Sequence, residues 1–303
     1  MSGWFGFRAP TLTFLYRWAI ANLAANVLLV VTGGAVRLTG SGLGCPTWPQ
    51  CGGGKYTPPL SYHGVIEFGN RTLTFVLAVI AIATWVAAMR YRPVDRTARR
   101  LATVVALGIP LQAVIGGVTV LTNLNPWVVS LHFLATIGII SLATWLVFRT
   151  RPEPLDRGDA TTVPARLAVA LAWTVYAVTW VTIYLGTVVT GAGPHAGDEK
   201  AHRNSLDPAN ASQLHADAVW TLVGAAFALI LLAVIAGLAM KRAALIFGGI
   251  VLLQGLIGYI QYATHLPMVL VILHMFGASL LMIGASWLLF SARGAARTIE
   301  LTD

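Results

Sequence analysis

Eight apolar stretches, each long enough to cross a lipid bilayer, constrain this 303-residue chain more than any other feature. They run over roughly 18–36, 64–89, 101–121, 128–148, 167–190, 213–240, 243–263 and 267–290. A bilayer's hydrocarbon core is about 30 Å thick, which about 20 helical residues span. Lipid-exposed backbone must satisfy its own hydrogen bonds, so each stretch is expected to be an α-helix. Charged residues make up 10% of the chain, whereas an ordinary soluble domain has about 25%. The expected fold class is therefore all-α integral membrane, with eight transmembrane helices. The first stretch is too long for a signal peptide's apolar region and lacks a small-residue cleavage site, so it is expected to be retained.

The connecting loops alternate in charge. Arg8 and Arg17 precede the first stretch, "RYRPVDRTARR" (90–100) follows the second and "RTRPEPLDRGDATTVPAR" (149–166) follows the fourth. Lys241 and Arg242 follow the sixth, and Arg293 and Arg297 follow the eighth. These regions carry 15 of the 20 Lys and Arg. The positive-inside rule then makes both termini cytoplasmic. Loops 37–62, 122–127, 191–212 and 264–266 are expected on the outer side. The net charge of +9 does not point to nucleic acid, because the cations sit in short loops between apolar runs.

The chain repeats itself. "VVTGGA" (30–35) ends the first stretch and "VVTGAG" (188–193) ends the fifth. "LQAVIGGVTVLTNLNPWVVSLH" (111–132) matches "LQGLIGYIQYATHLPMVLVILH" (253–274) with Leu, Gln, Ile, Gly, Thr and the closing Leu-His in register. Gln112 and Gln254 each precede a histidine by 20 residues. Two four-helix halves in the same orientation follow, residues 1–155 and 156–303, with 149–166 as the seam.

Four of the seven histidines lie at the outer ends of apolar stretches. His63 and His215 are expected to open the second and sixth helices, and His132 and His274 to lie in the first turns of the fourth and eighth. His195, His202 and His265 lie in outer loops; a gating role for His195 or His202 is the minor reading. Ionisable groups at membrane depth are costly and usually face a bundle interior. Histidines paired in each of two halves suit axial ligation of a haem iron between facing helices. Small residues such as "GGV" (116–118) and "GLIG" (255–258) leave room for such a group, although they serve plain helix packing equally well. Zinc is a weak alternative, because Cys and carboxylate partners are lacking except around Glu67.

In "HGVIEFGNR" (63–71), helical steps of four and three residues place His63, Glu67 and Asn70 on one stripe. Glu67 and Arg71 form an i,i+4 pair that is either structural or available to a haem propionate. Proton handling, or stabilisation of positive charge, is the catalytic reading of Glu67. The only two cysteines, Cys45 and Cys51 in "CPTWPQC", fall in the first outer loop, on the oxidising side. A disulfide there is sterically reasonable, as a loop staple or as a redox-active pair.

At these residues the chain resembles the haem A synthase family, and its actinobacterial branch in particular. "VVTGGAVRLTGSGLGCPTWPQCGG" (30–53) looks like the family's first-helix end and outer loop, and "EFGNR" (67–71) like its Glu-x-x-His-Arg motif. His132, His215 and His274 match the family's histidines in the fourth, sixth and eighth helices. The resemblance implies an enzyme of the bacterial plasma membrane. It would oxidise the C8 methyl group of haem O to the formyl group of haem A by successive hydroxylations. The C-terminal half would hold a haem b cofactor between His215 and His274. The N-terminal half would hold haem O, with His132 as an axial ligand and Glu67 needed for activity. Cys45 and Cys51 would form a disulfide in the outer loop. Haem O synthase and assembly factors of terminal oxidases are the implied partners.

The sequence departs from the family twice. Asn70 stands where the motif has a histidine, and Asn is a poor iron ligand; His63 lies seven residues earlier. Loop 191–212 lacks the second cysteine pair that some relatives carry there. The main alternative is a dihaem cytochrome b-type membrane electron carrier, which leaves Glu67 and the asymmetry of "EFGNR" against "HADAV" (215–219) unexplained. A transporter built from parallel repeats is a third reading, but its broken midplane helices are not evident. A prenyltransferase acting on haem is disfavoured, since its Asp-rich motifs are lacking.

Overall fold

A computed structural model of the chain describes residues 9–58, 60–153 and 162–296. Among these the structure is helical apart from one isolated β-bridge, Gly52 to Lys55. Eight helices follow in order: α1 Leu12–Leu38, α2 Tyr62–Arg90, α3 Arg96–Leu121, α4 Pro126–Thr150, α5 Val163–Ala192, α6 Pro208–Ile235, α7 Lys241–Ala263 and α8 Met268–Ala296. All eight are long and apolar enough to cross a membrane. The shortest has 23 residues and the longest 30, so at 1.5 Å per residue they span roughly 35–45 Å. The expected boundary at 155/156 and the cations Arg8, Arg157 and Arg297 lie outside the described residues.

Local capping sets where several helices begin. The side chains of Thr11, Ser61, Asp95, Asn125, Thr162 and Asp207 each accept a hydrogen bond from a backbone N–H of the first turn. Such caps replace hydrogen bonds that a helix start otherwise lacks. Several boundaries differ from the expected ones, among them those of α1 and α6. α1 starts at Leu12 rather than near 18, because Thr11 caps it and Arg17 sits inside the helix; a long cationic side chain reaches the interface without ending a helix. α6 runs from Pro208 to Ile235 rather than over 213–240. Asp207 caps its start with Pro208 as the first residue, a position where a missing N–H costs nothing. Its end is set by Gly237, whose φ of +62° lets Leu238 N–H bond the Ala233 carbonyl at 2.9 Å.

The helices pack in a regular pattern. α1 touches α2, α4 and α8; α5 touches α6, α8 and α4. The pairs α2 with α3 and α3 with α4 have counterparts in α6 with α7 and α7 with α8. Adding four to each helix number therefore maps the contacts of one set onto the other, and α4 and α8 meet at the centre. At that crossing Ser141 Oγ lies 2.9 Å from both Tyr176 Oη and Ser286 Oγ. In α1, Asn26 Nδ2 donates to Asn22 Oδ1 at 2.9 Å, and both residues are buried. Polar contacts of this kind hold helices together where the surroundings are as apolar as the interface.

The loops at the end that carries the two cysteines are tied to one another. Arg37 Nε donates to the His195 carbonyl at 2.6 Å, and its Nη2 donates to the Thr190 carbonyl at 3.1 Å. Gly42 N–H donates to the Gly197 carbonyl at 2.9 Å. His195 Nε2 lies 3.1 Å from the Leu266 carbonyl. His195 is thus part of a latch between three loops.

Candidate functional site

In the second four-helix set, two histidines face each other across the interior. His215 lies two turns into α6 rather than at its start, because that helix begins at Pro208. His274 lies in the second turn of α8. Their ring centroids are 6.5 Å apart, with an interplanar angle of 81°. Each ring rests on a glycine of the preceding helix. A Cβ at Gly186 of α5 would come within 3.2 Å of His215 Cε1, and one at Gly258 of α7 within 3.0 Å of His274 Cε1. Any larger residue would push the ring aside. The Nδ1 atoms of both rings are buried without a hydrogen-bond partner.

These features were tested against a shared iron. Metal–imidazole bonds of about 2.0–2.1 Å, plus the setback of each ring centre, put two rings that share one ion roughly 6–6.5 Å apart. The observed separation fits, as do the glycine cradles and the unpartnered nitrogens. No group of three or more His, Cys, Asp or Glu gathers at one point among the described residues. The donor set is therefore two imidazoles, which suits the axial positions of a haem better than a tetrahedral zinc site.

The first set is built differently. His132, in the second turn of α4, rests on Gly116 of α3; a Cβ there would lie 3.3 Å from His132 Cε1. Its Nδ1 is also buried without a partner. On α2, Asn70 Oδ1 accepts from Thr32 Oγ1 of α1 at 2.7 Å. His63 stays at the rim: it is the second residue of α2, its ring is exposed, and Nδ1 lies 2.9 Å from Ser41 Oγ. No imidazole pair like that of His215 and His274 involves His132 among the described residues.

Glu67 is buried, and both of its carboxylate oxygens accept hydrogen bonds. Its Oε2 accepts the Cys45 N–H at 2.5 Å, and its Oε1 accepts from Arg71 Nη2 at 2.5 Å and from Arg71 Nε at 3.1 Å. Arg71 Nη2 also donates to the carbonyls of Cys45 (3.0 Å) and Thr47 (3.2 Å). Cys45 and Cys51 are disulfide-bonded and buried. The loop between them presses Trp48 onto α3 at Gly117, where a Cβ would strike the indole ring. An ion pair on α2 and a bare glycine on α3 thus hold the disulfide loop beside the residue next to Gly116, the seat of His132.

Two further residues act behind the histidines. Gln112 Nε2 donates to the His132 carbonyl at 3.3 Å, and Gln254 Nε2 to the His274 carbonyl at 2.7 Å. Their sequence signal was the shared 20-residue spacing, which identifies the repeat without saying what the amide does. Trp48 and Gly117 gave no sequence signal.

The cytochrome oxidase assembly protein family (COX15-CtaA) matches residues 16–65 and 60–197, more than half of the chain. The chain belongs to this family. Individual relatives include a haem A synthase of Symbiobacterium thermophilum, 28% identical over 180 residues, or 58% of each chain. A haem A synthase of Bacillus pumilus is 31% identical over 170 residues, 54% of each chain. One from Geobacillus thermodenitrificans is 33% identical over 134 residues, 43% of this chain and 41% of the relative. These alignments span about half the length of the relatives. They come from Firmicutes and give no support to an actinobacterial branch. The family match ends before α6, so His215 and His274 lie beyond it.

Proposed function

We propose that the chain is a haem A synthase, a multi-pass oxidoreductase of the bacterial plasma membrane with both termini cytoplasmic. It converts the C8 methyl group of haem O to a formyl group by successive hydroxylations. The observation that carries this reading is the unequal pair of sites. One holds two imidazoles at a separation suited to a shared iron; the other offers His132 on Gly116, with no second imidazole ring against it among the described residues. An electron carrier has no use for that difference, and a substrate site beside a cofactor site does.

In this reading the halves are residues 1–155 for substrate and 156–303 for cofactor. His215 and His274, seated by Gly186 and Gly258, would hold haem b through their imidazoles. When bound, haem b supplies one-electron redox chemistry inside the membrane. His132 binds the iron of haem O on one side, and Asn70, with its Oδ1 bonded to Thr32, leaves the other side without a strong ligand. Glu67 is the catalytic carboxylate: beyond its bonds to Cys45 and Arg71 it retains lone pairs that take a proton as the methyl group is oxidised. The Cys45–Cys51 loop closes the outer wall. Haem O synthase as donor and the assembly machinery of terminal oxidases as recipient complete the proposal.

The test is haem extraction from protein purified after co-expression with a haem O source, resolved by chromatography. Haem b together with haem O or A is expected. Haem b alone, at two per chain, would favour the dihaem carrier and end this reading.

A further inference from the structure

The two halves differ in more than their ligands. A cleft of about 510 Å³ opens between α3, α4 and α5, within the range of about 300–1,000 Å³ common for small-molecule sites. Leu107, Leu111, Gly138, Leu142 and Trp180 line it, and so does Gln112. Gln112 joins the cleft to the proposed substrate site, because its Nε2 is bonded to the His132 carbonyl. Its Oε1 is buried without a donor, as is that of Gln254. The cleft is therefore mostly apolar, with Ser141 and Tyr176 also in its lining and the Gln112 acceptor at the end nearest His132.

The C-terminal half sets the matching residues differently. With Gln112 and Gln254 in register, Gly138 corresponds to Leu280 and Gly108 to Ile250. The exchange is not one-directional: Leu142 corresponds to Gly284, but Phe247 fills that space, where a Cβ would fall 2.9 Å from its ring. Gln254 is only 9% exposed and turns its amide onto Gly277 of α8. A second cleft, between α1 and α8, is lined by Leu280 and Ile283 and does not include Gln254. So the glutamine of the half assigned to substrate lines a cleft, and its register partner Gln254 does not line the cleft between α1 and α8.

We propose that the α3–α4–α5 cleft is the subsite for the isoprenoid chain of haem O, with Gln112 Oε1 accepting a hydrogen bond from the hydroxyl where that chain joins the ring. The chemistry matches the asymmetry: haem O carries such a chain, and haem b does not. Leu107, Leu111, Leu142 and Trp180 cover the chain, and Gly138 gives it depth. The subsite rests on the reading of the N-terminal half as the substrate half.

The test uses the full chain in nanodiscs, titrated with ferric haem O and with ferric haem b and followed by absorbance. The variants are Gly138→Leu, which fills the cleft from its floor, Leu111→Trp, which fills it from the rim, and Gln112→Leu. A Cβ at Gly138 would meet only Trp180, at an ordinary 3.7 Å, and Leu111 is mostly exposed, so both positions tolerate bulk. The wild type is expected to bind haem O more tightly than haem b at the second site. Losing burial of a few methylenes lowers affinity by roughly tenfold or more, so both filled variants should bind haem O only as well as haem b, with haem b binding unchanged. Gln112→Leu removes the support to the His132 carbonyl for either haem and the hydroxyl acceptor for haem O alone, so it should weaken haem O several-fold more than haem b. If the wild type prefers haem O and both filled variants keep the preference, the subsite is overturned and the proposed function survives. If the wild type shows no preference, the substrate reading fails and the subsite with it. A phospholipid that co-purifies with the wild type, is lost in Gly138→Leu and is not displaced by haem O would make the cleft a lipid site and also overturn the proposal.

Discussion

The C-terminal half offers two imidazoles to one space, each backed by a glycine. The N-terminal half offers one imidazole, one amide already bonded to Thr32, and a disulfide loop seated on the glycine beside the histidine's own. The helix contacts of the two halves correspond pair by pair, so the difference lies in side chains and loops and not in the framework. A tightly held cofactor needs symmetric ligation and a sealed pocket. A substrate that must enter, react and leave needs an open ligand position and a wall that is built separately. In the proposed reading the same framework serves both needs, because ligands and wall are set by side chains and loops that the helix contacts do not fix.

The largest effect should come from breaking the symmetric half. His274→Ala removes one of the two facing imidazoles and should abolish retention of resident haem, measured by absorbance of the purified protein against its peptide content. Its counterpart His132→Ala should leave resident haem in place. Equal haem loss in both variants would erase the functional distinction between the halves.

Next comes the carboxylate that exists in only one half. Glu67→Gln should keep the resident haem and stop haem A formation. It also weakens charge-assisted bonds to the loop, each worth about 1.5–3 kcal/mol, so loss of product alone does not separate chemistry from loop anchoring. Arg71→Met separates them: it cuts the same ion pair and the bonds to the loop carbonyls while keeping the carboxylate. Arg71→Met should retain more haem A formation than Glu67→Gln at equal protein yield. Equal losses would reduce Glu67 to an anchor.

A smaller effect is expected at the loop's seat. Gly117→Ala places a methyl group against the Trp48 ring, and overpacking of this kind costs about 1–3 kcal/mol. Faster proteolysis within residues 45–51 should follow, with resident haem unaffected. The matching residue of α7 is Tyr259, which is largely exposed, and Tyr259→Ala should change neither property.

Much of the framework was readable from hydropathy alone, since a continuous apolar run in a bilayer has only the helix open to it. The ends were less readable. Arg17 looked like a boundary and lies inside α1, and the polar start of α6 hid the two turns before His215. The histidines were visible because the repeat put them in register. Glu67 and Arg71 were visible as a helical pair, but their main task joins α2 to a loop more than 20 residues away, and spacing along one helix says nothing of that. Trp48 on Gly117 was hidden for the same reason. Spacing along α2 likewise says nothing of the neighbours that reach it from elsewhere, Thr32 at Asn70 and Ser41 at His63.

The smallest effect is also the most direct test of why the halves differ. Gln254 bonds the His274 carbonyl at 2.7 Å and Gln112 bonds that of His132 at 3.3 Å. The residue facing Gln254 is Gly277, and its register partner in α4 is Ala135. A Cβ at position 277 would collide with the Gln254 amide, so Ala135 accounts for the longer bond in the N-terminal half. Gly277→Ala should therefore loosen the latch on His274. The exchange gains about 0.5–1 kcal/mol of helix stability and loses part of a hydrogen bond worth about 0.5–1.5 kcal/mol. Thermal stability should barely move. The resident haem should still report the change through a shifted reduction potential, because the turn that carries its ligand has lost a support. Ala135→Gly should leave that potential untouched, since it acts in the other half. A shifted potential in Ala135→Gly, or none in Gly277→Ala, would show that the glutamines do not set the histidines apart.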